Sequence, residues 1–238
     1  LKPPIAAPLS TGASTTIRFY DAAIGKKVVM AVTGIILFGY VLGHMLGNLQ
    51  IFAPDRDQIN HYAAFLHSPT NVVPLWAIRV ILLAAVVLHI VAALQLTKLK
   101  SDARPQGYIK KRNVPSSYAA RTMIWSGPII AAFVIFHVLH LTVGAVMPLR
   151  EVGANQPDVR YNVVSAFQNP AVSLFYILAV TLLCIHLYHG LWSMLQSLGW
   201  VSPRRSQAIK KGAAAFAILV CLGFVSVPVA VMAGLVTY

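Results

Sequence analysis

Acidic side chains are scarce in this sequence. Six Asp and Glu stand against 19 Lys and Arg in 238 residues, and only 11% of the chain is charged. Soluble domains carry about 25% charged residues, so a water-solvated globule is excluded and lipid is the expected solvent. The long apolar runs hold no Asp or Glu. That removes closed, carboxylate-bearing metal sites from the apolar interior. Cysteine is almost absent. Cys184 and Cys221 both lie inside apolar runs and read as small buried hydrophobes, not as a disulfide pair or metal ligands. There is no CxxCH motif, so any haem would be held without a covalent link. Gly-rich nucleotide and Walker motifs are missing, and no polar segment is long enough for a catalytic domain. Substrate chemistry in any enzyme containing this chain would belong to another subunit. Leu1 to Gly25 has Pro3, Pro4 and Pro8 and no sustained apolar core, so it does not read as a signal peptide.

What the chain has is apolar length. It is 58% hydrophobic, with a mean hydropathy of +0.71. A membrane span needs about 20 mostly apolar residues, and five stretches qualify: Val28 to Phe52, Val72 to Leu96, Thr122 to Met147, Ala171 to Leu198 and Ala213 to Val236. Pro54 and Pro148 close the first and third, and Pro128 lies within the third, where it should bend or adjust the helix. The expected fold is an all-α, five-transmembrane-helix up-and-down bundle over residues 28–238, preceded by a cytoplasmic segment over 1–27.

The net charge of +13 would suggest nucleic acid in a soluble protein, but here the basic residues fall between the spans. Lys98 to Arg121 holds seven basic residues and one acid, and Arg204 to Lys211 holds four and none. With a cytoplasmic N-terminus, 15 of the 19 Lys and Arg lie inside, as the positive-inside rule requires. Tyr238 then lies outside.

Six of eight histidines fall in the spans: His44, His89, His137, His140, His186 and His189. Ionisable groups in a bilayer are costly and point to function. Depth orders four of them. His44 and His137 lie 16 and 15 residues into spans that start inside, and His89 and His186 lie 17 and 15 residues into spans that start outside. At about 1.5 Å per residue, the first two form an outer pair and the second two an inner pair. Facing imidazoles at one depth suit the axial positions of a flat, apolar haem standing between helices. His140 and His189 each follow a candidate ligand by three residues and share roughly its helix face, so either could replace it. Gly39, Gly43 and Gly47 recur at four-residue spacing beside His44. They suit close approach to a ring, or ordinary small-residue helix packing.

The run GHMLGNLQIF around His44 resembles the first helix of the dihaem cytochrome b subunit of succinate:menaquinone oxidoreductases. LHIVAA around His89, FHVLHLTVG around His137, and IHLYHGLWSMLQSLGW followed by RRSQ around His186 continue the resemblance in the family's order, over about residues 20 to 238. The last motif is the most specific. The resemblance implies that His44 and His137 hold a distal haem b and His89 and His186 a proximal one. It also implies a bacterial cytoplasmic membrane, a flavoprotein subunit with covalent FAD, an iron–sulfur subunit and menaquinone as electron acceptor. Fumarate reductases with the same anchor design, or another membrane dehydrogenase, are the alternatives. In one respect the sequence departs from some relatives: Cys184 stands where dihaem fumarate reductases can carry a membrane glutamate, so a glutamate proton path is not expected.

A quinone needs an apolar slot, hydrogen-bonding groups and a route to water. Asn48, His61, Tyr62, His67 and Arg79, near the outer end of the first two spans, supply such groups. Histidine can relay protons near neutral pH. Arg79 suits a haem propionate equally well, and His61 and His67 also suit solvated loop positions.

Overall fold

The structure, a computed structural model, describes residues 19–103, 118–152 and 156–238. It is all-α, with five helices long and apolar enough to cross a membrane. The long helices are α1 (Ala23–Asn48), α3 (Val72–Asp102), α4 (Tyr118–Val138), α6 (Pro170–Ser197) and α7 (Pro203–Met232). Two short helices, α2 (Gln58–His67) and α5 (Val159–Phe167), join α1 to α3 and α4 to α6. With five spans, α1 therefore begins at one end of the bundle, here called the amino-terminal end, and α7 finishes at the other, the carboxy-terminal end.

Several boundaries differ from the sequence expectation. The basic stretch Arg204 to Lys211 is helical, because Pro203 at the first turn pre-sets the backbone and α7 runs unbroken into its span. The third span stops earlier than Met147. A π-helical turn over Leu139–Val143 ends on Gly144, whose φ of 76° needs a residue without Cβ. Pro128 is accommodated inside α4, and Pro228 inside α7. His61 and His67 lie on α2, not in an irregular loop.

Lipid tails are as apolar as leucine, so helices associate in a membrane through close packing of small residues. The buried positions fit that rule. Ala31 on α1 and Ala85 and Ala92 on α3 are buried, as are Ala179 on α6 and Ala213 and Ala217 on α7. Leu83, Ile135 and Leu219 are exposed on the outside of the bundle. Helix α1 packs against α3, α6 and α7, and α6 packs against α7 and α4. The order α3–α1–α6–α4 leaves α1 and α4 barely touching, and likewise α3 and α6.

The carboxy-terminal end is closed by the short helices. Arg160 on α5 is 8% exposed. Its Nε donates to the Thr237 carbonyl at 2.9 Å, and its guanidinium also donates to the carbonyls of Ile51 and Arg56, both at 3.2 Å. Asn60 on α2 accepts from the Arg160 backbone N–H at 3.0 Å and donates to Asp158 at 3.1 Å. Buried charge is tolerated when its donors are satisfied. Here one arginine ties the end of the first span to the end of the last.

Candidate functional site

The two histidine pairs expected from depth are brought together. The rings of His44 and His137 lie 5.8 Å apart between centroids, with planes at 77°. Those of His89 and His186 lie 6.4 Å apart, at 58°. Each pair spans helices that are not packed on each other: α1 with α4, and α3 with α6. The side chains meet across two gaps in the bundle.

The surroundings of the pairs differ. At the amino-terminal end, His89 Nδ1 lies 3.1 Å from Thr33 Oγ on α1, and His186 Nδ1 lies 3.4 Å from Ser126 Oγ on α4. Both hydroxyl residues are buried. A Cβ added to Gly34 would meet His89 Cε1 at 3.8 Å, so α1 presents a flat seat to that ring. At the carboxy-terminal end the neighbours are aromatic. His44 stacks on Tyr40, with centroids 5.4 Å apart and planes at 12°, and lies 5.9 Å from Phe224. His137 lies 6.0 Å from Phe133 and 5.9 Å from Tyr176. His137 Nδ1 is buried without a hydrogen-bond partner.

His140 is accounted for separately. It is 3% exposed, and its Nδ1 pairs with the Tyr176 hydroxyl at 2.9 Å. His137, and not His140, therefore presents its ring to His44. His189 has no comparable ring partner among the described residues.

These pairs fit a haem better than a bare metal. Two imidazoles bound trans to one iron at about 2 Å each place their ring centres about 6 Å apart, which matches both observed separations. Among the described residues no three His, Cys, Asp or Glu side chains converge as a protein-only metal site would need. Added Cβ atoms at Gly39, Gly43, Gly127 and Gly190, on the helices that carry His44, His137 and His186, would meet nothing within 4 Å. At Gly39 and Gly43 this disfavours the helix-packing reading. Gly47 instead receives the Tyr62 ring, 3.1 Å from its added Cβ.

The proposed quinone residues divide into two groups. The Tyr62 ring lies against Gly47, three residues beyond His44 on α1, and Tyr40 stacks on His44. The Arg79 guanidinium sits 4.9 Å over the Trp76 ring, beside a shallow apolar hollow of about 520 Å³ lined by Val72, Val73, Trp76, Ala77, Val80 and Ile81. Asn48 is the last residue of α1 and is half-buried. His61 and His67 stand apart. His61 is exposed and 3.3 Å from Asp55, and exposed His67 donates from Nδ1 to the Ala63 carbonyl at 2.8 Å. Sequence reasoning missed Thr33, Tyr40, Ser126 and Tyr176. A hydroxyl or phenol four to eleven residues from a histidine carries no signal until the helices are placed side by side.

The fold and site define an all-α, multi-pass membrane protein with two interhelical histidine pairs. No protein-family model, curated protein or solved structure matches the chain.

Proposed function

We propose that this chain is the membrane anchor and electron-transfer subunit of a succinate dehydrogenase, holding two b haems and delivering electrons to menaquinone. The observation that carries the reading is the meeting of four histidines as two pairs across helices that do not otherwise pack. The ordered motifs of the sequence add the family. His89 and His186 hold the haem near the cytoplasmic side, and His44 and His137 the haem near the outer side. A haem b held by each histidine pair would supply one-electron transfer.

The protein residues do the rest. The four histidines, each half-buried between helices, fix the spacing and depth of the two sites. The amino-terminal end of the bundle faces the cytoplasm of a bacterial cell, the side to which the order of spans in the sequence assigns 15 of the 19 basic residues. That surface receives an iron–sulfur subunit and, through it, a flavoprotein with FAD. Lys210, over the Trp192 ring at 4.7 Å, belongs to this face. At the other end, Tyr40, Tyr62 and Arg79 supply hydrogen-bonding groups for a quinone carbonyl, and the hollow beside Trp76 takes its isoprenoid tail.

The test is purification of the complex from native membranes. The expected result is co-purification of a flavoprotein and an iron–sulfur subunit, with succinate-dependent menaquinone reduction. Hydrogen- or formate-dependent activity instead would assign the chain to another dehydrogenase. Tyr62→Phe and Arg79→Gln should lose quinone reduction, keep succinate oxidation by an artificial dye and keep both haems. Normal quinone kinetics in both variants would remove the outer quinone site.

A further inference from the structure

Among the described residues the hydroxyl partners of the amino-terminal pair have no counterpart at the other pair. Thr33 Oγ lies 2.8 Å from the Val29 carbonyl and 3.1 Å from the Met30 carbonyl. A carbonyl only accepts, so the single hydroxyl proton of Thr33 is committed there. The Thr33 oxygen can then face His89 only through a lone pair. The 3.1 Å contact to His89 Nδ1 is therefore an N–H donating to the hydroxyl oxygen. A neutral imidazole with its proton on Nδ1 has a bare Nε2, the nitrogen left to bind iron. Ser126 stands in the same relation to His186, at longer range: its hydroxyl lies 3.3 Å from the Met123 carbonyl and 3.4 Å from His186 Nδ1.

We infer that Thr33, with Ser126 in the lesser role, is a positioning residue that fixes the tautomer and ring direction of the amino-terminal histidine pair. The inference rests on the haem reading for its consequence, but the hydrogen bond stands without it. Each hydroxyl belongs to the helix that the histidine does not share: Thr33 is on α1 and His89 on α3, while Ser126 is on α4 and His186 on α6. The two helices that carry the other pair thus also orient this one. Partners that hold a ligating imidazole by its second nitrogen typically contribute about 10-fold to 100-fold in affinity for the bound metal group. Nothing equivalent holds His137, whose Nδ1 is unpartnered.

Two measurements on the full-length chain test this. The first is ¹⁵N NMR of histidine-labelled protein prepared without haem. His89, assigned by its loss in His89→Gln, should show the Nδ1–H tautomer. Thr33→Val, which keeps the shape and removes the hydroxyl, should shift that population, and Thr33→Ser should restore it. A wild-type His89 protonated on Nε2, or a spectrum unchanged in Thr33→Val, overturns the inference whether or not haem binds. The second is the rate of haem loss from the purified complex to a scavenger apoprotein. Thr33→Val should speed release of one haem about 10-fold or more and leave the other unchanged, with Thr33→Ser close to wild type. Equal release from Thr33→Val and wild type also overturns it. A wild-type chain that binds no haem, yet shows the Nδ1–H tautomer lost in Thr33→Val, would sink the proposed function while upholding the positioning role.

Discussion

At the amino-terminal end His89 and His186 each meet a hydroxyl from a neighbouring helix, whereas at the carboxy-terminal end His44 and His137 meet aromatic rings. The same residue type at the same kind of helix crossing is held in two ways. Hydrogen bonds fix a ring by direction and choose its tautomer. Packing fixes it by volume and leaves the second nitrogen alone. The two ends of the fold differ in the same sense. The carboxy-terminal half contains most of the buried core, including Phe133, Phe167, Tyr176 and Val220, and is closed by α2, α5 and Arg160. Among the described residues the amino-terminal half contributes few to that core, and Lys26, buried there, donates to the carbonyls of Tyr20 at 2.7 Å and Asp21 at 3.1 Å.

The largest expected effect breaks one pair and spares the other. His89→Ala or His186→Ala should remove one haem per chain, and His44→Ala or His137→Ala the other, read by difference spectra of the purified variants. Loss of both haems from every variant would make the two sites one cooperative unit. Next, Phe133→Ala should test whether packing holds the carboxy-terminal pair. Truncating a buried phenylalanine costs about 3–5 kcal/mol, so the melting temperature should fall and only the His44/His137 haem should show an altered spectrum. Tyr176→Phe is milder. It removes the hydroxyl that satisfies His140 and should cost about 1 kcal/mol, with both haems retained. A lost haem in that variant would make His140 part of the site. The smallest effect belongs to His61→Ala, which breaks only an exposed contact with Asp55. Stability should change by less than about 0.5 kcal/mol, and a loss of quinone reduction there would move the quinone site onto α2.

The spans and the histidine pairing were legible in the sequence because both follow from one dimension. Apolar length marks a crossing, and residue count along a crossing gives depth. The choice between His137 and His140 was not legible. Three residues apart on a helix is nearly the same face, and Tyr176, on another helix, decides it by taking the His140 nitrogen. Nor could α2 and α5 be read as helices. They are short and of mixed polarity, and tertiary bonds such as Asn60 to Asp158 hold them in place. Thr33 was hidden for another reason: a threonine in an apolar run ordinarily satisfies its hydroxyl on its own helix, as Thr97 and Thr181 do here. Thr33 does this too, and its lone pair toward His89 shows only when α3 is beside it.

The central claim is that the two histidine pairs are two haem sites. The pyridine haemochrome assay on the intact, purified protein, set against protein mass, tests it most directly. Two haem b per chain are expected, with low-spin ferric signals by electron paramagnetic resonance and no five-coordinate species. A ratio of one or zero, or a high-spin haem with an open axial position, would contradict it.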